Sequence, residues 1–434
     1  MSRDFKFIHT ADTHLGANWP AIASRDKVQV PLFGEAFGKV VDFAINEHVD
    51  FIVHGGDLID HPRPSVAAIS RLLDELRKLR SEKIPLIITK GSHDASPSFF
   101  ERMGGNWLHM LDRKLDLLRY VDFDDNLRAD VKTDGGSVVR IYGLGDYGNQ
   151  QEEFLSELIP KMSRGGSDYV ILIMHSTILE MPQARGAAVS LSKISPLIGN
   201  GLVDYIALGH NHQRWEDDAI NAMNPGSTEF TSFAEASKSN YAWINGELRQ
   251  ESARESPKGF YFVRVEGEIT TPEFRHLKTR DVRDVVVEFD EATPEEVVGG
   301  LVEALRMHTH PLAILRPIAT GSLARQYQVT DIKTAEVVRG AADALYVAYP
   351  ILSFKGRTEP LVGYGAGMSH RAILELAFST RFGRASKDVA RLADTIVESY
   401  RTLGRNAQAK ALQEIETFDL TSLREGMKKD AEKA

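Results

Sequence analysis

Five short apolar runs in this chain each stop at a cluster of aspartate, histidine or glycine, and that recurrence limits the folds open to it. Phe5-Lys6-Phe7-Ile8 leads into Asp12-Thr13-His14, and Phe51-Ile52-Val53 into Gly55-Gly56-Asp57. Pro85-Leu86-Ile87-Ile88 leads into Gly91-Ser92-His93-Asp94, Tyr169 to Ile173 into His175, and Tyr205-Ile206-Ala207-Leu208 into Gly209-His210-Asn211-His212. Such runs, rich in β-branched and aromatic residues and closed by glycine, read as buried strands that stop at tight turns. In open α/β sheets the loops beyond the carboxyl ends of the strands converge on one crevice, so these clusters become neighbours in space. A single Asp-x-His is weak, because short motifs match by chance and histidines often cap an element or line a core. Recurrence at five strand ends reverses those odds.

The residue types at those ends specify a chemistry. Asp12, His14, Asp57, His175, His210 and His212 offer oxygen and imidazole ligands without thiolate, a set suited to manganese, iron or zinc. Asp57, on a glycine turn, can lend one oxygen to each of two cations. Two ions sharing it would lie about 3.5 to 4 Å apart, the spacing that activates a water and steadies both oxygens of an in-line phosphoryl displacement. His93 and Asp60 are left over. An imidazole near a scissile phosphate can protonate the leaving oxygen, and a carboxylate on its other nitrogen would hold the tautomer. Asp94 reads as the residue that holds its own turn.

Length and charge narrow the setting. At 434 residues, two or three domains are expected. A net charge of -9 argues against holding nucleic acid by overall charge, so such a partner needs a local basic patch or metal ions at the contact. No basic and apolar leader or membrane-length segment is read, and the expectation is a soluble cytoplasmic protein with no membrane partner. Zero cysteines exclude disulfides, thiolate metal sites and a cysteine nucleophile.

Residues 1–280 read as alternating strands and helices, with an amphipathic helix beginning near Pro62 and Pro64 and carrying Val66, Ile69, Leu72, Leu76 and Leu79 on one stripe. Residues 97–118 form a further helical candidate, crowded with large apolar groups that suit a core or a self-association face. The pattern changes after 280. Residues 281–353 read as a small α/β unit with no Asp/His clusters, built of a strand at 285–287, a helix at 294–307, a strand at 312–315, a helix at 333–344 and a strand at 345–351. A glycine-rich linker follows at 354–369, then helices and a charged tail over 370–434. The last helix places Val389, Leu392, Ile396, Val397, Tyr400 and Leu403 on one face, to be covered by its own domain or by a partner.

Asp12-x-His14, Gly56-Asp57-x-x-Asp60, Gly91-Ser92-His93-Asp94, His175 and Gly209-His210-x-His212 resemble the five motifs of calcineurin-like metallophosphoesterases. The wider chain, including Asn224-Pro225-Gly226-Ser227, resembles the SbcD/Mre11-type nucleases of DNA double-strand-break repair. The resemblance implies an α/β fold, a two-sheet sandwich flanked by helices, with a small α/β capping domain and carboxyl-terminal helices. It implies that Asp12, His14, Asp57 and His212 bind one divalent ion, with manganese the expected metal. Asp57, position 92, His175 and His210 bind the other, and His93 is the catalytic acid or transition-state stabiliser oriented by Asp60. It further implies a homodimer, with 97–118 as the candidate contact, and an SMC-like ATPase partner held by the carboxyl-terminal helices.

One departure stands out. The family pattern has asparagine where this chain has Ser92, and a serine hydroxyl is a shorter and poorer ligand than an amide carbonyl. The second ion is therefore expected to bind weakly, through water, or only with substrate present. The sequence reading is a two-metal DNA phosphodiesterase whose 281–353 unit caps the site. Its rivals are a phosphoesterase for nucleotides or other small phosphate esters, and a catalytically impaired DNA-end-binding subunit.

Overall fold

The computed structural model describes residues 4–17, 34–94, 107–181, 184 and 186–354. The linker and carboxyl-terminal helices expected at 354–434 thus lie, from residue 355 onward, outside the described residues, as do 97–106 of the helical candidate at 97–118. The chain divides into two units, Met1–Lys355 and Gly356–Ala434, and every described residue belongs to the first.

Two six-stranded sheets face each other. The first runs, in spatial order, Ile269–His276, Gly259–Glu266, Phe5–Thr10, Phe51–His54, Leu86–Ile88 and Arg119–Tyr120. The second runs Trp215–Asp217, Ala222–Asn224, Tyr205–Gly209, Tyr169–His175, Val138–Leu144 and Arg128–Lys132. All five apolar runs are strands, and within each sheet they are parallel to one another, so their carboxyl ends share a rim.

Alternation along the strands fixes the layers. Phe5, Phe7, Phe51, Val53 and Ile87 point inward and meet Ile141, Ile171, Ile173, Tyr205 and Ala207 of the second sheet in one buried core. There the rings of Phe7 and Phe51 stack with centroids 5.0 Å apart. Ile8, Ile52, Leu86 and Ile88 point the other way, under the helices Gly34–Asn46 and Val66–Ser81. Strands buried on both faces read as continuous apolar runs, which is why they were visible in the sequence. The second helix starts at Val66, where the Ser65 side chain accepts from Ala68 N, rather than at the prolines before it.

The described part of 97–118 begins with a helical turn at Trp107–His109 and a π-helical turn at Met110–Lys114. Leu108, Leu111 and Leu118 are buried in the core beneath the first sheet, with Trp107, Met110 and Leu117 packed against it.

A third sheet, ordered Glu247–Arg254, Ser237–Ile244, Asp281–Ala292, Ala313–Leu323 and Tyr346–Val347, contains the strands of the unit expected at 281–353, and Ile351–Phe354 also pairs with Ala313–Leu323. Its helix Pro294–Arg306 is closed by a capping box between Thr293 and Glu296 and buries Val297, Leu301, Ala304 and Leu305 on the sheet. Three details differ from the sequence reading. The hairpin 237–254, which precedes the boundary at 280, hydrogen-bonds into this third sheet, and the chain then returns to the first sheet at 259–276. The strand read at 345–351 is split in two around Pro350, which has no N–H to donate to a ladder. The helix read at 333–344 runs only from Thr334 to Gly340.

Candidate metal centre

The turns that end the parallel strands impose unusual backbone on the residues that carry the chemistry. Asp12, His14, Asp57 and His210 all have positive φ, at 49°, 47°, 54° and 83°. Non-glycine residues adopt that conformation at a cost, and they do so where the surrounding structure dictates it, commonly at functional sites. Cross-bonds between the loops supply the dictation. His14 N donates to Asp57 O at 2.9 Å, Asp12 N to Gly56 O at 3.0 Å, and His210 N to both Asp12 carboxylate oxygens at 3.1 and 3.0 Å. His54, at the end of its strand, accepts from Gly56 N at 3.1 Å through Nδ1 and meets Thr13 Oγ1 at 2.8 Å through Nε2, tying the first two loops together.

Three of the imidazoles are anchored through Nδ1 to an oxygen acceptor. His14 Nδ1 donates to Asp60 Oδ1 at 3.1 Å, His175 Nδ1 to Gly55 O at 2.7 Å and His212 Nδ1 to Glu235 Oε1 at 2.8 Å. An acceptor on one ring nitrogen places the proton there and frees the other as a ligand. Two of the freed atoms meet each other, and the third meets a nitrogen of His210. His14 Nε2 lies 3.0 Å from His212 Nε2, and His175 Nε2 lies 3.1 Å from His210 Nδ1. Asp57 Oδ2 sits between the pairs, 3.8 Å from His14 Nε2 and 3.4 Å from His175 Nε2.

Such a donor set fits divalent ions. Two nitrogens each bonded at about 2.1 Å to one ion, at angles between square and tetrahedral, are about 3.0 to 3.4 Å apart. Asp12, His14 and His212 form one group whose donor atoms are close enough to share an ion, and Asp12, Asp57 and His175 form another. Asp146 with His175 and His210 forms a third.

The electrostatics agree with a cation-seeking site. Burial alone would raise the Asp57 carboxyl, but the charge and hydrogen bond of His175, then His14 and His93, hold it well below the usual carboxylate range. Burial would lower His175, yet Asp57, followed by Asp12 and Asp146, pushes it up to about 10. His210 is lowered by burial and by the charge of His175 beside it. Buried anions here hold positive charge tightly.

The remaining predicted residues fall out as follows. Ser92 Oγ is 3.4 Å from Asp57 Oδ2, and His93 N donates to Asp57 Oδ1 at 2.7 Å. The His93 ring is half exposed, and its Nδ1 meets the carbonyl oxygen of Asp60 at 2.7 Å. The Asp60 carboxylate, expected to orient His93, lies 3.9 Å from that nitrogen and instead bonds His14. Asp94 holds its turn: Oδ1 accepts from Ile59 N and Oδ2 from Gly91 N. Burial, then the charge of Asp57, raises its pKa to about 7.

Asp146 and Glu235 were not singled out from the sequence. Asp146 had a signal, since it follows Gly145 at the end of the apolar strand Val138–Leu144. Glu235 had none, being a turn residue far along the chain from His212.

Residues 5–214 match the family model described as Calcineurin-like phosphoesterase. This stretch is a calcineurin-like phosphoesterase domain. The chain is also similar to proteins named DNA double-strand break repair protein Mre11. One from Saccharolobus solfataricus is 29% identical over 52% of this chain and 54% of its own length. Another, from Sulfolobus acidocaldarius, is 24% identical over 76% of this chain and 78% of its own, and a third, from Archaeoglobus fulgidus, is 28% identical over 68% and 63%. The match therefore spans about half the length of the first of these relatives. The phosphoesterase domain accounts for every residue of the converging set up to His212, whereas Glu235 lies beyond it.

Among the described residues no helix is long and apolar enough to cross a membrane.

Proposed function

We propose that this chain is a DNA phosphodiesterase dependent on two divalent ions, with manganese as the working metal, that processes DNA ends in double-strand-break repair. The observation that carries the reading is the meeting of two imidazole pairs on either side of Asp57 at one sheet rim. Asp12, His14, Asp57 and His212 would hold one ion, and Asp57, Ser92, His175 and His210 the other. When bound, the ions supply charge to neutralise phosphate oxygens and to acidify a water.

The chain's own residues do the rest. His93 is the general acid that protonates the leaving oxygen. Because Asp60 O can only accept, Nδ1 of His93 keeps its proton, and Nε2 is the position that exchanges one with substrate. Asp60 thus orients two rings, one through its carbonyl and one through its carboxylate. The unit at 281–353, with the hairpin 237–254, caps the site and helps to hold DNA. In line with the resemblance of its motifs, the reading extends to a homodimer and to an SMC-like ATPase partner engaged by residues 370–434, in the cytoplasm.

Cleavage of end-labelled linear DNA with manganese tests it, comparing the natural chain with His93→Ala. Metal-dependent cleavage lost in His93→Ala is the expected result. DNA binding without cleavage by the natural chain and by Ser92→Asn alike would sink the nuclease reading and leave a DNA-end-binding subunit. Hydrolysis of small phosphate esters with no action on DNA would favour the small-substrate phosphoesterase.

A further inference from the structure

Glu235 lies beyond the phosphoesterase match, yet it holds His212, and it sits in a turn packed on the capping sheet. The turn Phe233–Glu235 is opened by Ser232, whose side chain accepts from Ala234 N. Glu235 is buried, at 4% exposure, and both of its oxygens are engaged. Oε1 accepts from His212 Nδ1, from Thr231 N at 3.1 Å and from the Thr231 hydroxyl. Oε2 accepts from Ser227 Oγ at 2.8 Å and from Lys258 Nζ.

Lys258 is buried too, at 2% exposure, and its ammonium also donates to Ser227 Oγ at 2.6 Å and to the His212 carbonyl at 3.0 Å. The pair therefore grips His212 at both ends, imidazole and backbone. A buried ion pair on a candidate ligand costs desolvation that a purely structural contact would avoid with apolar residues. It suits a group that must fix an imidazole's tautomer and direction.

The other side of the turn belongs to the cap. Phe230 and Ala236 share a small apolar cluster with Val282, Ile314 and Leu345 of the capping unit, and Phe233 packs against it. Arg316, on the capping strand Ala313–Leu323 and paired with Asp284 at 2.7 and 2.8 Å, lies over the Phe233 ring at 4.6 Å and donates to its carbonyl at 3.4 Å.

We propose that Glu235 and Lys258 are positioning residues for His212, and that Arg316, on the capping sheet, sets them through Phe233, so that the seating of the cap adjusts how tightly one of the two ions is held. The inference rests on the two-ion reading of the site. It makes Glu235 act through His212, and it makes one ion, not both, answer to the cap.

The test is manganese titration of the full chain by calorimetry, which reads affinity and stoichiometry without DNA. Glu235→Gln together with Lys258→Met removes the buried charges as a pair, so neither is left stranded, and thermal unfolding reports that the variant folds. It should weaken one ion roughly 10- to 100-fold and leave the other unchanged. Arg316→Ala, which touches no candidate ligand, should weaken the same ion roughly 2- to 30-fold. Both folded variants binding two ions as tightly as the natural chain, or losing both ions equally, would overturn the proposal. No manganese bound by the natural chain would instead overturn the two-ion reading beneath it.

Discussion

Asp60 Oδ1 lies 3.1 Å from His14 Nδ1, so the carboxylate after the second strand grips an imidazole after the first. Carboxylate-bonded imidazoles are held in one tautomer and made better ligands, and loss of such a partner typically costs 10- to 100-fold in metal affinity. Asp60→Asn should therefore weaken manganese binding by about that factor in a calorimetric titration. Its contact with His93 runs through the backbone and survives the change. Cleavage lost at unchanged metal affinity would return the carboxylate to the role the sequence suggested, as the partner of His93.

His93→Ala should lower manganese-dependent cleavage by about 10² to 10⁴, the usual worth of a general acid. Metal binding should persist, because the bond from position 93 to Asp57 Oδ1 is made by the backbone N–H, at 2.7 Å. Equal loss of metal binding and of cleavage would recast His93 as a ligand.

Ser92 Oγ stops 3.4 Å from Asp57 Oδ2, at the long end of a hydrogen bond. Asparagine at that position would present an amide oxygen, a better partner for a hard cation. Ser92→Asn is expected to tighten the weaker of two manganese ions, on the order of tenfold, the low end of what one group around a metal contributes. An unchanged titration would show that position 92 does not face the ion.

How far these residues could be read in advance depended on where their partners lie. Asp12, His14, Asp57, His175, His210 and His212 stood out because each follows an apolar strand, and the parallel order of those strands makes sequence grammar into spatial proximity. The sequence pairs the Asp60 carboxylate with His93, whereas in the structure that carboxylate bonds His14 and it is the Asp60 carbonyl that meets His93; which nearby ring takes which oxygen depends on loop geometry that no spacing encodes. The hairpin 237–254 did carry a signal. Asn245-Gly246, both at positive φ, is the dipeptide favoured in two-residue hairpin turns. Its membership in the third sheet carried none, because parallel pairing with Asp281–Ala292 is set by a partner strand distant in the chain. Glu235 was silent for a related reason, since its carboxylate meets His212 through a tertiary contact across 23 residues that no local pattern encodes.

His9 gives a pH test away from the candidate ligands. It is fully buried between Tyr205 Oη at 3.0 Å and the Leu208 carbonyl at 2.9 Å. Burial drives its pKa from 6.5 down to about 3, with the Leu208 carbonyl acting in the opposite sense. The unfolded chain takes up a proton there below about pH 6.5, while the folded chain does not until about pH 3. Stability from the neutral ring is therefore whole above pH 6.5 and falls as the pH drops from there towards 3, by up to ~1.4 kcal/mol per pH unit. Urea unfolding at pH 7 and pH 4.5 should show His9→Gln losing less stability on acidification than the natural chain. Parallel losses would place the acid sensitivity elsewhere.

Two glycine substitutions should act in opposite directions. A Cβ at Gly91 would lie 2.1 Å from Asp57 Oδ1 and 2.3 Å from Asp57 N. The second of these is backbone, fixed in a left-handed turn, so the conflict cannot be relieved by a rotamer change. Gly91→Ala should displace Asp57, abolish tight binding of both ions that would share it, and cost about 1 to 3 kcal/mol in urea unfolding. A Cβ at Gly299, in the helix Pro294–Arg306, meets nothing within 4 Å. Gly299→Ala should stabilise the protein by up to about 1 kcal/mol through helix propensity and leave metal binding unchanged. Tight metal binding retained by Gly91→Ala would mean that the Gly91 loop yields to the added methyl, and that Asp57 is not held by the close approach of these two loops.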